Sequence, residues 1–71
     1  MTQNLKSGKW VYLKSNPEMV YRVSKPYSQY EIEVTNLKQE RSLILRKDLE
    51  LITDVIKIQE LDSAWETELN P

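Results

Sequence analysis

The chain has 71 residues, enough for one small domain. It contains no cysteine and no histidine. That excludes a disulfide framework, zinc sites built on Cys and His, and Cys–His or Ser–His–Asp nucleophilic centres. The net charge of −1 is unevenly spread. Residues 1–53 carry nine Lys/Arg against six Asp/Glu, a net of +3, and residues 54–71 carry one Lys against five Asp/Glu, a net of −4.

Residues 1–7 are polar and read as a flexible N-terminal arm without the apolar run of a secretory signal. Gly8, the single glycine, precedes Lys9-Trp10-Val11-Tyr12-Leu13-Lys14, an aromatic and β-branched stretch of strand type. Alternation puts Val11 and Leu13 on one face and Trp10 and Tyr12 on the other. Ser15-Asn16-Pro17-Glu18 reads as a turn, and residues 19–23 as a second strand with Met19, Tyr21 and Val23 sharing a face. Residues 25–29, with Pro26, read as a hairpin loop.

Residues 30–35 show the clearest alternation, with Tyr30, Ile32 and Val34 on one face and Glu31, Glu33 and Thr35 on the other, a half-buried strand with one solvated face. Residues 42–46 form a fourth strand, apolar on both faces at its centre. A tight turn at 47–49 leads to a short closing strand at 50–52. The expected core is Val11, Leu13, Met19, Tyr21, Val23, Ile32, Val34, Leu43, Leu45, Leu49 and Leu51. In the tail, Val55, Ile58, Leu61, Trp65 and Leu69 make an amphipathic stripe, yet 51–58 also reads as β-branched strand. The favoured reading is a sixth strand or extended linker near 52–58, then a short helix near 61–69 capped by Asp62 or Ser63, with Glu66 completing a capping box.

The fold class expected is therefore mainly β: a five-stranded barrel over 8–53, followed by an acidic amphipathic tail over 54–71 that is a short helix or extended. Gly8-Lys9-Trp10-Val11-Tyr12-Leu13-Lys14-Ser15-Asn16-Pro17, closing at Leu49-Glu50-Leu51-Ile52, resembles small SH3-like (KOW/Tudor-like) barrels. Similar phrasing occurs in SH3-like domains attached to bacterial SNF2-type helicases and in small uncharacterised bacterial proteins. The variable chain of ferredoxin–thioredoxin reductase and a small SH3-like photosystem I subunit end comparably. The resemblance covers residues 8–52 and implies an SH3-like barrel with no catalytic residue to carry over. Asn16 stands where such patterns usually have a second glycine.

Two surfaces suggest recognition. Trp10, Tyr12 and Tyr27, with Trp65 from the tail, are candidates for an aromatic groove that meets a protein or peptide. The tail itself is expected either to dock on the barrel or to project to a partner. Lys9, Lys14, Arg22, Lys25, Lys38 and Arg41, interleaved with aromatics such as Tyr30, are candidates for stacking bases and meeting phosphates. Glu31 and Glu33 share a strand face, but two solvated glutamates on a small barrel are a poor basis for proton-transfer chemistry.

The function expected is a non-catalytic binding module or accessory subunit with a protein or peptide partner. A nucleic-acid-binding accessory domain is the alternative, and a structural subunit of a redox or photosynthetic complex is a third. No cofactor, metal or membrane association is expected. A soluble cytoplasmic protein is the expected setting, since no stretch approaches the roughly 18 apolar residues of a membrane helix.

Overall fold

The computed structural model describes residues 5–69. Five antiparallel strands, β1 (Trp10–Leu13), β2 (Asn16–Pro26), β3 (Glu31–Thr35), β4 (Arg41–Leu45) and β5 (Leu49–Leu51), form one sheet in the order β4-β3-β2-β1-β5. A helix, α1 (Val55–Leu69), follows. No helix among the described residues is long and apolar enough to cross a membrane.

β2 belongs to both halves of the sheet. Val20 to Arg22 pair with β1, and Arg22 to Pro26 pair with β3. A bulge between Val23 and Lys25 bends the strand where it changes partners. A second irregularity explains an expectation that fails. Tyr12 pairs with Val20 but Leu13 pairs with Asn16, so residues 17–19 loop out of the ladder. Pro17 therefore loses no hydrogen bond there, and Met19 stands exposed instead of in the core.

The passage from β4 to β5 shows how far the sheet curls. The two strands are its opposite edges, about 19 Å apart if flat, since neighbouring strands lie roughly 4.8 Å apart. Only a 3-10 turn, Arg46–Asp48, joins them. Even fully extended, the link from Leu45 to Leu49 would reach only about 14 Å. The sheet must roll until its edges approach. No ladder joins β4 to β5, however, so the expected closed barrel is instead an open, rolled sheet.

Inside the roll lie Leu5, Val11, Tyr21, Val23, Ile32, Val34 and Leu49, with Leu13, Ile44 and Leu51 packed against them. The register brings them together: Val11 faces Tyr21 and Leu51, Val23 faces Val34, and Ile32 faces Ile44. Leu43 and Leu45 were expected here but point outward, 49% and 39% exposed. The pairing of Ile44 with the buried Ile32 decides the phase of β4, and a one-residue change of phase reverses every side chain. Tyr30, expected as the first residue of the third strand, lies in the bend before β3 starts and is exposed.

The N-terminal segment is not loose where it is described. Leu5 is in the core, Gly8 donates its N–H to the Val23 carbonyl at 2.9 Å, and Ser7 Oγ donates to the Ser24 carbonyl. Residues 1–4 of the expected arm lie outside the described part.

The tail is helical from Val55 onward, with no sixth strand among the described residues. Asp54 is the missed signal. Its Oδ1 accepts from the N–H of Ile56 at 3.0 Å and of Lys57 at 3.3 Å, which satisfies two of the donors a helix start leaves free. Asp62 and Ser63, expected as caps, sit mid-helix. Along the expected stripe, Leu61 is buried, Ile58 and Trp65 are half-buried, and Val55 is exposed in the first turn. The side chain of Leu69 lies outside the described part.

Candidate functional site

Alternation places Trp10 on the outer face of β1, opposite the core side chain Val11. Trp10 is nevertheless 2% exposed, because α1 lies across it. Its Nε1–H donates to Asp62 Oδ1 at 2.8 Å, and Trp65 meets it edge to face with ring centroids 5.8 Å apart. Such a pair satisfies the polar end of the indole while its ring packs against a complementary quadrupole. These two contacts tie α1 to β1.

Arg22 is directly opposite Trp10 in the ladder. Its guanidinium carbon lies 5.0 Å from the centroid of Trp65, a cation–π arrangement. Its Nε is buried and has no hydrogen-bond partner among the described residues. One row of side chains therefore runs from Trp10 through Trp65 to Arg22.

Beyond Arg22 the same outer face opens into a cleft of about 830 Å³. Lys25 and Arg41 wall it with Arg22 and Trp65, while Glu33, Ser24 and Thr35 lie across the strands between them. Ser24, on the bulge of β2, shares a 2.6 Å hydrogen bond with Thr35. The bulge also keeps Lys25, paired with Glu33, on the outer face where a regular strand would turn it inward. Ser7, Gly8 and Gln39 close the ends. Gly8 has φ of +88°, a conformation that suits glycine.

Three cations against one carboxylate give the cleft a net charge of +2. Lys25 and Arg41 make no ion pair among the described residues. The arrangement favours an anion that reaches between β2 and β4. Among the described residues there is no group of three or more Asp or Glu placed to hold a metal ion.

The structure gathers some of the expected site residues and scatters others. Arg22, Lys25, Arg41 and Trp65 share the cleft. Trp10 belongs to the same row but is sealed under α1, so the aromatic groove expected of Trp10, Tyr12 and Tyr27 is not formed. Tyr12 is half-buried on β1, paired with Val20 and Glu50. Tyr27 and Tyr30 are exposed in the β2–β3 loop and do not line the cleft. Lys14 pairs with Glu50 at 3.6 Å beside β5. Lys9 and Lys38 are exposed outside the lining. Of the two glutamates on β3, Glu33 enters the cleft and Glu31 does not. Ser24, Thr35 and Gln39 carry no sequence signal of their own, since only the bulge and the register bring them to the site.

No protein-family model matches the chain, and no curated protein or solved structure matches it either.

Proposed function

We propose that this chain is a non-catalytic, cytoplasmic binding module of the SH3-like kind, which recognises an acidic segment of a partner protein at the outer cleft. The order β4-β3-β2-β1-β5 with a single 3-10 turn between the edge strands supports the SH3-like description. The observation that carries the function is the convergence of Arg22, Lys25 and Arg41, from two strands, on a cleft walled by Trp65. Arginine presents a planar fork of donors that suits a carboxylate, and lysine adds a mobile charge.

A protein partner is favoured over nucleic acid because the aromatics and cations are not interleaved. Trp65 already meets Trp10 and Arg22, and the exposed Tyr27 and Tyr30 do not line the cleft. Single-strand binders stack bases beside the cations that hold the phosphates.

The test is affinity capture from the cells that make the protein, with and without nuclease, alongside the double variant Lys25→Glu/Arg41→Glu. Protein capture that survives nuclease and is lost in the variant supports this reading. Capture abolished by nuclease assigns the face to nucleic acid, and capture unaffected by the charge reversals removes the cleft as the site.

A further inference from the structure

The β3–β4 ladder fixes which backbone groups of β4 remain unsatisfied. Arg46 N–H donates to the Tyr30 carbonyl at 2.8 Å, and Asn36 N–H donates to the Glu40 carbonyl at 2.9 Å. Both bonds continue the register that pairs Ile44 with Ile32 and Ser42 with Val34. In an antiparallel ladder, bonded and non-bonded pairs alternate. Ser42 and Ile44 therefore bond inward to β3, while Arg41, Leu43 and Leu45 turn their N–H and C=O groups to the open side. β4 is an edge of the sheet, and β2 and β3 lie to one side of it only.

Such an edge is a template for another strand, and proteins usually blunt it with proline, a central charge or a bulge. β4 has none of these: its register with β3 is regular, and its five residues read Arg-Ser-Leu-Ile-Leu. The same three residues that offer free backbone groups also carry the outward side chains. Leu43 and Leu45 stand exposed on the outer face, and Arg41 continues that row into the cleft.

We infer that the partner segment adds to β4 as a sixth strand, with apolar side chains beside Leu43 and Leu45 and a carboxylate beside Arg41. This rests on the reading of the cleft as a protein-binding site and names its mode. Charge selects the occupant. Arg41 is the charge on this outer row, so an added strand that sets two apolar residues and then a carboxylate at alternate positions is complementary. A second copy fits less well, because symmetric antiparallel pairing about Leu43 sets Leu45 of the other copy, not a carboxylate, opposite Arg41. Backbone bonds would supply affinity, and the alternate side chains specificity.

The probe is a short capped Val/Glu peptide whose alternate positions read Val, Val and Glu, with Thr at the positions between, so that one face carries both the apolar groups and the carboxylate. Its controls are the Val/Lys counterpart and the Val/Glu peptide with alternate amides N-methylated. Amide exchange is followed residue by residue on the full chain. With the Val/Glu peptide at roughly ten times its Kd, exchange at Arg41, Leu43 and Leu45 slows about tenfold, and neither control does this. Leu43→Pro removes an outward donor without removing a β3–β4 bond, and it abolishes the protection while the other β3 and β4 amides stay as slow as before.

No binding by the Val/Glu peptide, equal protection by the Val/Lys peptide, or full binding by the N-methylated peptide overturns the proposal. Binding that perturbs only Arg22, Ser24 and Thr35 overturns the added strand and leaves the cleft reading standing. Edge protection that is indifferent to Lys25→Glu does the reverse.

Discussion

Trp10 and Asp62, 52 positions apart in sequence, are joined by an indole N–H to carboxylate hydrogen bond of 2.8 Å. The bond matters because the donor is sealed. Removing the acceptor leaves a buried N–H with no partner, which costs about 1–3 kcal/mol. Asp62→Ala is therefore expected to destabilise the fold by about that amount, whereas Asp62→Asn, which keeps an acceptor oxygen, costs less. Urea titration of both variants measures the difference, and a larger loss in the Asn variant would contradict the assignment.

Trp65 acts on two neighbours at once. Trp65→Ala removes the edge-to-face contact with Trp10 and the cation–π contact with Arg22. Aromatic pairs contribute about 0.5–1.5 kcal/mol beyond the area they bury. The variant should lower Tm by several degrees, at about 4–8 °C per kcal/mol for a domain of this size. Trp65→Phe, which keeps a ring, should recover part of that loss in the same thermal melt.

The phase of β4 predicts a contrast between adjacent residues. Ile44 packs on the core and Leu43 stands half out in solvent. Ile44→Ala should cost about 2 kcal/mol or more, as a large-to-small change against a packed core does. Leu43→Ala should cost within about 0.5 kcal/mol, like other surface changes. Chemical denaturation of the two variants would reverse this order if Leu43 faced the core.

Backbone conformation gives two substitutions of opposite sign. Gly8 has φ of +88° and Gln39 has φ of 69°. A β-carbon at Gly8 meets only Arg22 Nη2 at 3.7 Å, an ordinary contact, so Gly8→Ala is penalised by conformation and not by space. It should cost about 1 kcal/mol. Gln39→Gly relieves the same kind of strain and should be neutral to stabilising by a few tenths to about 1 kcal/mol. Thermal melts of the two variants should move in opposite directions.

Asp54 provides the last test. Replacing an N-cap carboxylate by alanine costs about 0.5–2 kcal/mol. Asp54→Ala should fray the first turn of α1, seen as weaker amide protection at Ile56 and Lys57, while Asp54→Ser should largely preserve it.

The strands were legible because each has its own local signature. The alternation of Ile32 and Val34 with Glu31 and Glu33 needs no tertiary knowledge to read. β4 was legible as a strand but not in phase, since Leu43, Ile44 and Leu45 are all apolar and only pairing with β3 distinguishes them. The start of α1 was hidden by β-branched Val55, Ile56 and Ile58, whose propensity favours strands, although Asp54 stood at the cap position. Trp10 lies on the face opposite Val11, as alternation places it, but it is buried, since nothing local shows that a helix fifty residues later covers it. The cations of the cleft were among the candidates. What the sequence could not convey was which of them converge, because the β2 bulge and the curl of the sheet decide that.

The sealed joint between β1 and α1 has a spectroscopic consequence. The chain has two tryptophans, and both are in it. Intrinsic emission therefore reports the attachment of the helix and little else. Indoles 5.8 Å apart and inclined at 83° also place their transition dipoles close enough to couple. An exciton couplet in the circular dichroism would thus serve as a label-free gauge of whether α1 is seated, readable in the unmodified protein while a ligand is added.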